Sequence, residues 1–200
     1  TIVGVMQHIE EAGIHSGDSA CCLPPYSLSN ALITKIKNQS VLLAKELKVK
    51  GLINIQFAVR EKNIYVLEVN PRASRTLPFV SKVIGKPIPG IASLIMAGIA
   101  KNTLLDPKIN FFAIKEVVLP FNKFPGTDIL LGPEMRSTGE VMGIDKSFAK
   151  AYLKSQIAAG IKLPKKGTAF ISVKGKDKNT KLLEICQIVD NLGIKILATS

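Results

Sequence analysis

Gln56, Glu68 and Asn70 offer one carboxylate and two side-chain amides, carried on two stretches that alternate apolar and polar residues, 52–60 and 64–70. Their oxygens are hard donors. Mg²⁺ takes such ligands, commonly one or two carboxylates completed by water and phosphate oxygens. Successive strand residues point to opposite faces. Ile53, Ile55, Phe57 and Val59 therefore share one face of the first strand, and Asn54, Gln56 and Ala58 the other. On the second, Tyr65, Leu67 and Val69 form one face, and Ile64, Val66, Glu68 and Asn70 the opposite one. If the connection Glu61-Lys62-Asn63 sets Arg60 opposite Ile64, Gln56 falls opposite Glu68 and Asn54 opposite Asn70. Directly opposed residues share a side, about 5 Å apart at Cβ. The competing reading is the polar solvent face of an ordinary hairpin, and a slip of one residue separates the trio.

Two further groups flank this hairpin. Arg72 and Arg75 follow Pro71. A guanidinium keeps its proton and grips carboxylate or phosphate in a fork, so the pair suits an anion; surface ion pairing is the alternative. The stretch Gly13-Ile14-His15-Ser16-Gly17-Asp18-Ser19 combines glycines, which admit a ligand close to backbone, with hydrogen-bonding side chains. His15 taken alone is equally a structural histidine, and His8 is read as structural.

These residues need a frame. Residues 1–8 have β character, and 29–48 form a helix with Leu28, Leu32, Ile36, Leu43 and Leu47 near one stripe. Short helices are expected at 77–84 and 88–97, ended by Gly85 and Gly98. Residues 99–112 read as irregular, 115–119 as a strand, 121–134 as ordered loop, and 147–159 as a helix with Ser147 as N-cap. Gly160–Gly167, where three lysines gather around Pro164, marks a domain boundary. Beyond it, a strand at 168–174, a helix at about 179–192 and a strand at 194–198 open a β-α-β unit.

Bulk properties narrow the class. A chain of 200 residues with 46% hydrophobic and 21% charged residues can bury a core. No apolar run reaches the roughly 18 residues of a membrane span, so no membrane partner is expected. Cys21, Cys22 and Cys186 form neither a disulfide framework nor a zinc spacing, which fits a reducing, cytoplasmic setting. The net charge of +12 raises nucleic-acid binding. The lysines are scattered without an RNA-binding aromatic motif, so nucleic acid is not expected as a partner. The chain starts at Thr1 inside an apolar stretch and stops on one, as a fragment of a longer protein does.

The runs His15–Ala20, Asn54–Ala58 and Glu68–Thr76 resemble the ATP-grasp modules of the carbamoyl-phosphate synthase large subunit. Pro78–Lys82, Lys115–Gly126 and especially Leu131–Gly143 are similar to its carboxy-terminal synthetase half. The resemblance covers essentially the whole chain. It implies an α/β (α+β) fold: an ATP-grasp C-terminal subdomain over 1–159, then over 160–200 the start of a methylglyoxal-synthase-like, Rossmann-like regulatory domain. It also implies an ATP-dependent ligase reaction, the phosphorylation of carbamate, within carbamoyl phosphate synthesis for arginine and pyrimidines.

By position in the family's motifs, Gln56, Glu68 and Asn70 would hold the metals. Gly13, Ile14, His15 and Ser16, with Gln56 and Glu68, would line the ATP site, and Arg72 and Arg75 would face the carbamate or the transferred phosphoryl group. Ser172, Lys178 and Thr199 would hold an effector phosphate. The implied cofactors are Mg²⁺ or Mn²⁺, two per ATP, and K⁺; ATP is a substrate. The implied partners are a glutaminase small subunit and a nucleotide or ornithine-type effector. The lysine-bearing subdomain that covers the phosphates in this family is missing, so a piece of this size is expected to be inactive alone. Other ATP-grasp carboxylases or ligases and a non-catalytic nucleotide-binding module are the competing functions.

Overall fold

The computed structural model describes residues 1–199, and the chain divides into two compact units with the boundary between Gly160 and Ile161. The strands are β1 (Gln7–His8), β2 (Cys21–Leu23), β3 (Asn54–Arg60), β4 (Asn63–Asn70), β5 (Phe112–Val118), β6 (Gly139–Asp145), β7 (Thr168–Ile171) and β8 (Lys195–Ala198). The helices are α1 (Asn30–Glu46), α2 (Leu77–Ile84), α3 (Ile88–Met96), α4 (Phe148–Ala158) and α5 (Thr180–Asn191).

The first unit holds an antiparallel four-stranded sheet in the order β1-β2-β5-β6 and the separate hairpin β3-β4. Ala113 and Ile114 are neighbours on β5 and point to opposite faces, so each enters a different core. Ala113 and Leu23 pack with Phe79, Val80 and Val83 of α2. Ile114 and Cys22 pack with Ala151 of α4, beside Phe112, Phe148 and Tyr152. Each fully buried aliphatic or aromatic side chain stabilises by about 2 kcal/mol relative to leaving it in water. Gly143 lets the backbone of α4 lie directly on β6: a Cβ there would meet the Ala151 carbonyl oxygen at 2.1 Å and the Ser155 nitrogen at 2.5 Å.

Local chemistry sets the helix ends. Ser29 caps α1, its hydroxyl accepting from the Leu32 N–H at 3.3 Å. Pro78 sits in the first turn of α2, and Gly85 ends it in the left-handed region at φ 65°. No single helix among the described residues is long and apolar enough to cross a membrane.

Several boundaries differ from the sequence reading. Only Gln7–His8 of the expected 1–8 strand pairs; Val3 and Met6 pack instead against the core. β2 and β6 were not anticipated. The first is three residues long, and the second carries Gly139 and Gly143, which blur its alternation. β5 starts at Phe112, inside the stretch read as irregular. Leu47 of the proposed α1 stripe is exposed, whereas Ile36 is buried. Ser147 occupies the N-cap position of α4 without a side-chain cap bond; its own N–H donates to Asp145 at 3.1 Å. The strand expected at 168–174 ends at Ile171, where pairing with β8 ends.

In the second unit β7 and β8 pair in parallel, with α5 between them in the chain, a β-α-β connection. Asn179 caps α5 by accepting from the Lys181 and Leu182 N–H groups.

Candidate active site

The hairpin reaches the expected ligand pairing by an unexpected route. Its connection is two residues, Glu61 and Lys62, and Arg60 pairs with Asn63 rather than facing Ile64. Glu61 takes φ 59°, as tight turns require of one residue or more. That register continues through Val59↔Ile64, Ala58↔Tyr65 and Phe57↔Val66. A bulge then follows at Gln56/Phe57, with Leu67 as the extra residue, and beyond it Gln56↔Glu68, Ile55↔Val69 and Asn54↔Asn70 pair directly.

The bulge changes the faces. Ile64 and Val66 pair with Val59 and Phe57 and belong to the apolar side, not to the side of Glu68 and Asn70 as the unbroken alternation had it. The polar side carries Asn54, Gln56, Glu68 and Asn70 together, which strand alternation and this register require.

Beyond the hairpin, the Asn70 carbonyl accepts from the Arg72 N–H at 2.8 Å. The exposed Arg72 guanidinium donates to the Ala73 carbonyl, and Arg75 Nη1 reaches the Met135 sulfur at 2.8 Å.

The His15 loop is a 3₁₀ turn over Ser16–Asp18. The Gly17 N–H donates to His15 Nδ1 at 3.0 Å, so that nitrogen carries a lone pair and the proton of the neutral ring resides on Nε2. The His15 N–H donates to the Gly132 carbonyl at 2.8 Å. Asp18 is wholly buried and accepts from the Arg136 N–H at 2.7 Å and the Ser137 N–H at 2.8 Å. Ser137 Oγ returns a bond to the Gly17 carbonyl at 2.8 Å. Burial alone would raise the Asp18 carboxyl, but the bonds from Ser137 and Arg136 outweigh it and hold the group below the usual carboxylate range. Asp18 and Ser19 therefore anchor this loop from beneath rather than meeting a ligand.

One cleft of about 1310 Å³ in the first unit is lined by all nine predicted residues there: Gly13, Ile14, His15, Ser16, Gln56, Glu68, Asn70, Arg72 and Arg75. Sequence reasoning missed other parts of its wall. Ile36, Ser40, Ala44 and Lys48 line it at four-residue spacing along and just beyond α1, a helical stripe that includes polar residues. His8 also faces it; burial, then the charge of Lys115, lower its pKa and keep the ring neutral. Burial pushes the Cys21 and Cys22 thiols up to about 12, so neither offers a thiolate near neutral pH.

In the second unit a cavity of about 490 Å³ is lined by Lys178, Asn179, Thr180 and Thr199 among others. Ser172 is exposed and is not part of that lining.

The donor set suits a hard divalent cation. Glu68 with the side-chain amide oxygens on its face is the kind of low-charge set that phosphate oxygens complete.

Comparison with known proteins places the chain in a family. Residues 1–106 match the family model described as carbamoyl-phosphate synthase L chain, ATP binding domain. The carbamoyl phosphate synthase large chain of Mesorhizobium japonicum is 52% identical over 100% of this chain and 18% of its own length. That of Archaeoglobus fulgidus is 55% identical over 99% and 19%. The C-terminal section of the Aquifex aeolicus large chain is 51% identical over 100% and 40%. The chain thus spans between about a fifth and two fifths of the length of these relatives. Among solved structures, the urea carboxylase of Kluyveromyces lactis matches at TM-score 0.56 with 18% identity, covering 70% of this chain and 15% of that one. An ADP complex of N5-carboxyaminoimidazole ribonucleotide synthetase matches at 0.55 with 16% identity, covering 72% and 42%. These two likenesses concern the fold, that of ATP-grasp enzymes.

Proposed function

The chain belongs to the family of carbamoyl-phosphate synthase L-chain ATP-binding domains, and from that premise we propose that it forms the metal-binding part of a site that phosphorylates carbamate with ATP inside a longer enzyme. The observation that carries this reading is the single cleft in which the Gln56–Glu68–Asn70 face, the His15 loop and Arg72 with Arg75 meet.

Phosphoryl transfer demands positioning and charge neutralisation more than covalent chemistry. Glu68, Gln56 and Asn70 would hold Mg²⁺ or Mn²⁺, which when bound neutralises phosphate charge. Arg72 and Arg75 are exposed cations on the cleft wall and bind the carbamate anion or the phosphoryl group. Gly13 and Ile14 give the nucleotide close access to backbone, Ser16 adds a hydroxyl, and His15 presents an Nε2–H donor. No protein nucleophile is needed, in keeping with thiols that stay protonated.

The same reading extends to the longer protein. A glutaminase subunit supplies ammonia, the first synthetase half makes carbamate, and the product feeds arginine and pyrimidine synthesis in the cytoplasm. K⁺ is a further cation of that enzyme. Residues 161–199 begin a methylglyoxal-synthase-like regulatory domain. There Lys178 and Thr199, on one cavity wall, meet the phosphate of a nucleotide effector, with Ser172 outside that wall, and an ornithine-type effector is the other class.

The test uses the longest natural chain containing this sequence. It should form ATP from carbamoyl phosphate and Mg·ADP, the reverse of carbamate phosphorylation. A folded, complete chain without that activity contradicts the proposal.

A further inference from the structure

Lys115, in the middle of β5, is the largest fully buried side chain among the described residues. A charged ammonium in an interior costs several kcal/mol unless it is paired and hydrogen-bonded. Core packing does not ask for it, because its neighbours on that face of β5, Ala113 and Val117, are apolar. Its Nζ instead reaches the Ser16 carbonyl at 3.3 Å, across 99 residues of chain, and pairs with Glu140 Oε1 of β6 at 3.6 Å.

We propose that Lys115 is a positioning residue for the nucleotide: its buried ammonium, held by Glu140, fixes the Ser16 carbonyl and so the His15–Ser16 edge of the cleft. This rests on the reading of that edge as the nucleotide wall.

Two observations support it. The Ser16–Asp18 turn is tied down at its far end by Asp18, which accepts from Arg136 and Ser137, whereas Lys115 supplies a donor at its near end. The turn therefore has one buried charged side chain at each end, and the Lys115 contact falls on Ser16, which lines the cleft beside His15. Second, the Lys115 ammonium has an acidic partner in Glu140. Glu140 of β6 pairs with it, Glu116 is its neighbour on β5, and its charge also acts on Glu10 in the loop after β1 and on His8 and Cys21. An uncharged side chain of equal length fills the same space but supplies neither the donor nor the positive charge.

The test compares full-length wild type, Lys115→Met and Lys115→Arg in ATP formation from carbamoyl phosphate and Mg·ADP. Losing a charged hydrogen bond that orients the wall should raise KM for Mg·ADP about tenfold in Lys115→Met. KM for carbamoyl phosphate should stay within about twofold, because Arg72 and Arg75 hang on a different segment. Lys115→Arg keeps a cationic donor and should restore most of the nucleotide affinity. An unchanged KM for Mg·ADP in a folded Lys115→Met protein overturns the proposal, as does a parallel rise for both substrates without rescue by arginine. Should Lys115→Met fail to fold, Glu140→Gln, at a partly exposed position, carries the test. A selective rise of about threefold or more in KM for Mg·ADP supports the anchor, and no change refutes it. Inactivity of wild type itself would instead refute the proposed reaction, so the two failures are distinct.

Discussion

Gln56 and Glu68 pair directly across β3 and β4, although the two-residue turn that joins these strands is set one residue out of step for them. Continued without interruption, the turn's register would place Leu67 opposite Gln56. The bulge between the Phe57↔Val66 and Gln56↔Glu68 pairs absorbs that one residue. It brings the carboxylate to the amide and moves Ile64 and Val66 to the apolar side.

A length-changing experiment follows from this relationship. Deleting Leu67 should leave Gln56 and Glu68 opposed in a regular ladder and keep metal-dependent activity within about tenfold of wild type. Inserting one alanine between Glu68 and Val69 should turn Asn70 to the other face and abolish it. Steady-state ATP formation at varied Mg²⁺ reads both. Equal loss in the two variants would show that pairing is not what matters.

Much of this frame was legible in the sequence, for definite reasons. β3 and β4 alternate strongly, α2 announces its end with Gly85, and Ser29 stands where α1 needs a cap. The bulge was not legible, because Leu67 is one apolar residue in an apolar strand and nothing marks it as unpaired. Nor was Lys115: a lysine within a strand reads as a solvent-facing residue, and only the approach of the His15 loop from far away in sequence explains its burial. The pairing of Asp18 with the 136–137 backbone is equally non-local. α1 misled by its leucines, since its cleft-facing stripe includes Ser40 and is continued past its end by Lys48.

Gly143→Ala should destabilise the first unit by about 3 kcal/mol, the upper part of the usual range for overpacking, because the new methyl meets backbone rather than a movable side chain. Thermal or urea unfolding measures it. A change below about 0.5 kcal/mol, typical of an open surface position, would show that α4 does not lie on β6 as described.

Acid behaviour should divide between two kinds of carboxyl group. Asp18 is held below its ordinary pKa, so its contribution is present above the usual carboxylate range and is lost as pH falls through its depressed folded value. Glu116 is raised, chiefly by burial, which its bonds from the Val117 N–H and the Gln156 amide only partly offset. Its sign is opposite: the folded state keeps the proton longer, so stability declines as pH rises from the ordinary glutamate value of 4.5 toward its raised folded value. Glu116→Gln should remove that decline while leaving the acid loss due to Asp18. Urea midpoints measured from pH 3 to 7 would show it; identical pH profiles for variant and wild type would refute the assignment.

The central claim is that Glu68 holds the catalytic metal opposite Gln56. The most direct measurement is ATP formation from carbamoyl phosphate and ADP as a function of Mg²⁺ in the longest natural chain, for wild type and Glu68→Gln, with folding checked by circular dichroism. Removing the one carboxylate of the set should cut the rate about a hundredfold or more and push the Mg²⁺ dependence to higher concentration. A folded Glu68→Gln protein with the wild-type rate and the wild-type Mg²⁺ dependence would contradict the account.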